Sequence, residues 1–150
     1  MELLPIYQTE AENAHFAASP DCWETVLACV DFYGRIGYVP PWICYIVRRD
    51  DQLVAGIGFK GQPVNNTVEI AYGTFPAYQR QGIAAEGCRM LVELALQTDP
   101  DLRVTARTLP QESYSTKTLK KNGFRCLGLI WDNEDDDVWE WEYVKSATIQ

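Results

Sequence analysis

Phe75-Pro76-Ala77-Tyr78-Gln79-Arg80-Gln81-Gly82-Ile83-Ala84-Ala85-Glu86 is the stretch from which the fold can be read. It follows a run of strand-forming residues at 68–74. It opens a segment, 82–97, whose apolar positions Ile83, Met90, Leu91, Leu94 and Ala95 share one helical face, with Gly87 permitting close approach. A polar turn therefore feeds a helix N-terminus, and the first N–H groups of a helix have no partner within it. The usual side-chain caps are missing: the cap positions hold Gln81 and Gly82 rather than Ser, Thr, Asp or Asn, and no acidic residue appears before Glu86. Arg80 stands beside the positive end of the helix dipole, an unfavourable place unless something negative binds there. Free amides, a glycine that lets the backbone approach and a nearby cation together make a phosphate cradle. A surface helix capped by water is the other reading of the same residues.

Working outward, residues 8–18 and 21–33 read as helices, the second after the break at Pro20, and Pro40-Pro41 ends that region. Residues 42–48 and 53–59 are β-branched and aromatic runs joined by Arg49-Asp50-Asp51-Gln52 as a hairpin, and the strand 68–74 follows a turn at 62–66. Beyond the central helix, Asp99-Pro100 is a stop, 102–106 a short strand, and 112–121 a helix ended by Asn122-Gly123. Residues 124–131 and 138–143 form a closing hairpin around the acidic turn 132–137. This order predicts one α/β domain over 1–150 with a mixed, mostly antiparallel sheet. The strands at 68–74 and 102–106 are joined through a helix and can lie parallel, a junction that suits a ligand site.

The bulk composition agrees with one packed core: 150 residues, 47% apolar, 12% aromatic and 23% charged. Cys22, Cys29, Cys44, Cys88 and Cys126 are odd in number and widely spaced, which fits neither a disulfide framework nor a metal site. With no basic, apolar leader and no long apolar run, the expected home is the cytoplasm rather than a membrane. A net charge of −8 argues against nucleic acid and suits a neutral or cationic acceptor.

At Gln79-Arg80-Gln81-Gly82-Ile83-Ala84 the sequence resembles the GNAT acetyltransferases. Their signature is Gln or Arg, two residues, Gly, one residue, then Gly or Ala, and every position is met. Downstream, Ala106-Arg107-Thr108-Leu109-Pro110, Ser115 and Leu119-Lys120-Lys121-Asn122-Gly123-Phe124 are similar to the branch that includes ribosomal-protein N-terminal alanine acetyltransferases. The resemblance, spanning about residues 68–128, implies a GNAT-like fold with acetyl-CoA as donor and an amine as acceptor. It also implies pairing of the pantetheine arm with the backbone of Tyr72 and Thr74, Gly73 lying between them. The pyrophosphate contacts would run along Gln79, Arg80, Gln81, Gly82, Ile83, Ala84 and Ala85.

Acetyl transfer needs a neutral amine, a polarised thioester carbonyl and a stabilised leaving thiolate. Glu69 lies in an otherwise apolar strand, where burial would poise a carboxyl as a base; a strand-end charge reaching solvent is the plainer reading. Ser115 matches the branch's hydroxyl position for the leaving group, and adjacent Tyr114 could substitute, though helical neighbours point about 100° apart. Backbone amides near a strand bulge at residues 71–73 would polarise the carbonyl.

Two positions depart from the family: Leu119 stands where many members carry a tyrosine acid, and Glu112 where the branch carries a cofactor-contacting asparagine. These departures keep a second reading open, a non-catalytic acyl-CoA-binding module. The oligomeric state is open between monomer and homodimer. Trp23, Phe32, Tyr33, Tyr38 and Trp42 read as core or as the wall of an acceptor pocket. Gly56-Ile57-Gly58-Phe59-Lys60-Gly61 matches a dinucleotide motif but ends a strand with no helix after it, so it is rejected. His15 has no partner constellation for a triad or a metal.

Overall fold

A computed structural model describes residues 1–132 and 136–145. Its elements are β1 (Glu2–Pro5), a 3₁₀ helix (Ala11–Phe16), α1 (Pro20–Ile36), β2 (Cys44–Arg49), β3 (Gln52–Phe59) and β4 (Thr67–Thr74). A 3₁₀ turn (Pro76–Tyr78), α2 (Ile83–Thr98), β5 (Arg103–Thr108), α3 (Tyr114–Lys121), β6 (Phe124–Asp132) and β7 (Asp136–Tyr143) follow. The strands form one mixed sheet in the order β1-β2-β3-β4-β5-β7-β6. Every neighbouring pair is antiparallel except β4 and β5, which run parallel across the α2 crossover.

Of the helical face expected in α2, Ile83, Leu91 and Ala95 are buried, while Met90 and Leu94 are half-buried. In α2 the side chains of Ile83, Ala84, Cys88, Leu91, Val92 and Ala95 are buried, as helical spacing requires. They join Ile57, Phe59, Val68, Ile70, Leu102, Val104 and Trp141 in one core. Tyr33 ties α1 to the sheet: its hydroxyl donates to the Ile6 carbonyl and accepts from the Cys44 amide, both at 2.9 Å. The five cysteines are free, with Cys126 exposed. Gly56 and Gly58 of the rejected motif have a packing role. A Cβ on Gly56 would lie 2.7 Å from the Thr25 methyl, and one on Gly58 would lie 2.6 Å from the Cys44 Cα.

The structure departs from expectation in four places. The strand β1 was not anticipated, since four residues ending in Pro5 carry little periodicity. The expected helix over 8–18 is only a 3₁₀ segment, because buried Asn13 takes the backbone for itself: it accepts from Tyr7 N–H and donates to the Tyr7 and Thr9 carbonyls. The third helix starts at Tyr114 rather than Glu112, because Ser113 and Thr116 form a reciprocal capping box. No bulge interrupts residues 71–73, whose register against β3 is continuous from Ala55↔Thr74 to Phe59↔Ile70. The acidic turn at 132–137 falls largely outside the described residues at 133–135.

Candidate active site

The parallel pair gives the site its shape. β4 and β5 are hydrogen-bonded only from Thr67↔Arg103 to Glu69↔Thr105, yet β4 continues to Thr74 and β5 to Thr108, so the strands part. On the other side of β4, the Lys60 amide donates to the Glu69 carbonyl and the Phe75 amide to the Val54 carbonyl. Odd-numbered backbone groups of β4 therefore face β3. By the alternation of an antiparallel ladder, those of Tyr72 and Thr74 face the gap, where β5 no longer meets them. Backbone donors and acceptors beside such a gap are free to pair with an extended ligand.

A cavity of about 440 Å³ fills the mouth of the gap, lined by Tyr72, Gly73, Thr74, Gln79, Arg80, Ala84, Tyr114 and Ser115. Its floor is the turn into α2. Gly82 is the N-cap, in the left-handed region at φ 77° with no side-chain cap hydrogen bond, and Arg80 is also left-handed at φ 64°. A Cβ on Gly82 would meet nothing within 4 Å, so the space beside this cap is open. Uncapped amides and a loop that alternates backbone hand make an anion-binding concavity. The Gln79 amide closes the turn on the Thr74 carbonyl at 3.3 Å. Arg49 engages the Gln81 side chain, and Ile83 is buried, so these two offer the ligand only backbone. Ala85 is held from behind, its carbonyl accepting from Asn122 at 3.0 Å.

A second, smaller cavity adjoins the first on the far side of Ser115, lined by Lys60, Glu69, Ile70, Ala71, Tyr72, Ala106, Arg107, Thr108 and Ser115. Ser115 and Tyr72 border both. Glu69 is not in the apolar surroundings its strand suggested. One carboxylate oxygen lies 3.2 Å from Lys60 Nζ and the other 3.7 Å from Arg107 Nε. Arg107 also contacts Asp132 at 2.7 Å and Glu140 at 3.8 Å. Partial burial pulls the Arg107 pKa down, but the acidic neighbours, Asp132 foremost, outweigh it and hold the pKa above the usual range. Lys60 and Arg107 were not expected here: Lys60 follows β3, and Arg107 lies on β5 two residues beyond Thr105, the register partner of Glu69.

Of the remaining expected residues, Tyr114 lines the larger cavity but is 53% exposed. Glu112 lies outside the cavities and pairs with Lys120 at 3.3 Å. Leu119 is fully buried in the core. Cys88, on α2, has its thiol pushed up to about 12 by burial, which withholds the thiolate needed for nucleophilic work. Burial raises the Tyr72 hydroxyl as well. Tyr33 and Trp42 belong to the core, and Phe32 stacks under Arg35, so the aromatic group near α1 serves packing. His15 packs on Phe16 with ring centres 4.1 Å apart. Among the described residues no His, Cys, Asp and Glu cluster suits a metal, and no helix is long and apolar enough to cross a membrane.

Sequence relationship identifies the class of protein built on this split parallel pair. Residues 4–125 match the acetyltransferase (GNAT) domain, and the chain belongs to that family. The uncharacterized N-acetyltransferase YjdG of Bacillus subtilis (strain 168) is 34% identical over 142 residues, covering 92% of this chain and 79% of that protein. Among solved structures, the ribosomal L7/L12 α-N-protein acetyltransferase RimL in complex with coenzyme A is similar at a TM-score of 0.64 and 18% identity, over 83% of this chain and 71% of that one. The microcin C7 self-immunity acetyltransferase MccE in complex with acetyl-CoA and AMP gives 0.64 and 14%, over 83% and 70%. At such identities the structures establish the fold.

Proposed function

We propose that this chain transfers an acetyl group from acetyl-CoA to a primary amine, on a small molecule or a protein N-terminus, by direct attack in a ternary complex. The observation that supports it most is the cleft itself. The free backbone of Tyr72 and the Thr74 amide lead from the uncapped start of α2 to Ser115, and from there into the cavity that holds Glu69. Acetyl-CoA, when bound, supplies the thioester that carries the acetyl group.

The chain's own residues divide the work. Gln79 to Ala85 present backbone amides to the pyrophosphate, with Arg80 as the nearby cation. Tyr72, Gly73 and Thr74 hold the pantetheine arm along the strand. Glu69, ion-paired with Lys60 and Arg107, accepts the proton of the acceptor amine directly or through water. Ser115, where the two cavities meet, donates its hydroxyl toward the departing sulfur, with Tyr114 as the exposed neighbour able to replace it. The acidic groups around Arg107 favour a cationic acceptor over an anionic one.

Solved structures of comparable likeness include a ribosomal-protein N-acetyltransferase and a spermidine N-acetyltransferase chimera, so the fold does not choose the acceptor. A non-catalytic acyl-CoA-binding module is the alternative, favoured by the core position of Leu119 and the Glu112–Lys120 pair. Free-thiol release on presenting acetyl-CoA with a panel of amines and N-terminal peptides separates the two. CoA release with at least one amine supports the enzyme. Acetyl-CoA binding without release from any amine supports the module.

A further inference from the structure

Among the described residues, Lys60 is the one lysine that lines either cavity of the cleft. It is the cross-strand neighbour of Glu69: its amide donates to the Glu69 carbonyl at 2.8 Å, so the two side chains leave the same face of the sheet. Its Nζ lies 3.2 Å from a Glu69 carboxylate oxygen, within reach of direct proton transfer. Both side chains line the smaller cavity, which meets the larger one at Tyr72 and Ser115. The other lysines are placed elsewhere. Lys117, Lys120, Lys121 and Lys145 line neither cavity; Lys120 pairs with Glu112, and Lys145 donates to the Pro100 carbonyl at 2.7 Å.

A partly exposed ion pair of this kind adds little to stability, so its placement matters more than its energy. The Lys60 side chain is 41% exposed and ends a flexible four-carbon stem. The amine can therefore leave the carboxylate while its Cα stays fixed in register. An amine tethered beside a carboxylate that can take its proton needs no diffusional encounter to reach the site, the condition under which intramolecular transfer is favoured.

We propose that Lys60 is itself an acetyl acceptor, modified by its own chain when acetyl-CoA is bound and no other amine occupies the smaller cavity; this rests on the transferase reading above. The Lys60 ammonium passes one proton to Glu69, and the freed amine forms a C–N bond to the acetyl carbon as the C–S bond breaks. A second proton leaves the nitrogen and reaches the departing sulfur by way of Ser115. The products are an amide on Lys60 and CoA as the thiol, and Glu69 returns its proton to water. The amide occupies the space in which an acceptor amine must meet Glu69, and one of the two cations beside that carboxylate is lost, leaving Arg107 at 3.7 Å. The modified chain is therefore expected to acetylate free amines more slowly than the unmodified one.

Mass spectrometry of the full chain incubated with acetyl-CoA and no added amine tests this. The wild type is expected to gain the mass of a single acetyl group, mapped to the peptide that contains Lys60, at a rate independent of protein concentration. Lys60→Arg keeps a cation beside Glu69 but offers no amine, and it is expected to stay unmodified while still binding acetyl-CoA in calorimetry. A second readout needs no transfer: trinitrobenzenesulfonate labels accessible amines, and bound CoA is expected to slow labelling of Lys60 several-fold while Lys145 labels at an unchanged rate. Acetyl groups spread over the other lysines, a rate that rises with protein concentration, or labelling of Lys60 that ignores CoA overturns the proposal. So does a wild type that acetylates an added amine yet leaves Lys60 unmodified, and in that case the transferase reading stands. A chain that binds no acetyl-CoA, or that modifies neither Lys60 nor any added amine, overturns both.

Discussion

The Tyr72 hydroxyl lies 3.4 Å from the Ser115 carbonyl oxygen, a contact that spans the opening between β4 and the first turn of α3. It joins the two sides of the cleft where the strands have already parted, and it fixes the distance from the backbone of Tyr72 to the side chain of Ser115. At 3.4 Å the bond is long, so Tyr72→Phe is expected to cost below about 1 kcal/mol of stability. Its larger effect should fall on acetyl-CoA: KM rises while the melting temperature barely moves. Steady-state kinetics with parallel thermal melts check this. A large stability loss with unchanged KM would show that the contact serves folding alone.

Glu69→Gln keeps the shape of the smaller cavity and removes the proton acceptor. Turnover is expected to fall about 10²-fold or more, with acetyl-CoA affinity nearly unchanged. The Lys60 and Arg107 contacts weaken in the same variant, so Lys60→Met serves as the control for charge alone. If Glu69→Gln turns over like the wild type, the base lies elsewhere.

Leu119→Tyr is expected to destabilise the chain by about 1–3 kcal/mol without raising activity. Leu119 is fully buried against the core, and a larger polar side chain there overpacks it rather than reaching the cleft. Chemical denaturation measures the first effect and initial rates the second. A faster enzyme would mean that this position faces the leaving group after all.

Acid sensitivity should trace in part to Glu142. The Arg103 hydrogen bond at 2.6 Å, with Arg125 nearby, holds its pKa below the usual carboxylate range. A carboxylate whose folded pKa is depressed contributes stability that is present above the unfolded value of about 4.3 and is lost as pH falls through the folded value. Glu142→Gln should therefore lower stability at neutral pH and flatten its decline below about pH 4. Denaturation midpoints across that range test the sign.

The uncapped entry to α2 was legible in the sequence because it is local. The missing caps, Gly82 and the cation Arg80 sit within a few residues of each other, and the structure adds that Gly82 is left-handed and its cap unfilled. The strands and helices from residue 42 onward were legible for the same reason, through their alternation and helical spacing. What was not legible depends on partners distant in the chain. The setting of Glu69 is made by Lys60 on one side and Arg107 on the other, and no periodicity in β4 announces either. The 3₁₀ segment depends on what the Asn13 side chain bonds, and β1 exists because β2 offers it a register.

The most direct measurement is isothermal titration of acetyl-CoA into the wild type and into Gly82→Asp. A carboxylate at that cap places negative charge in the cradle and a side chain in the space the glycine leaves open. The wild type should bind one acetyl-CoA per chain, and the variant, if its circular dichroism is preserved, should show no binding heat. A folded Gly82→Asp that binds as well as the wild type, or a wild type that does not bind, would contradict the assignment of this loop.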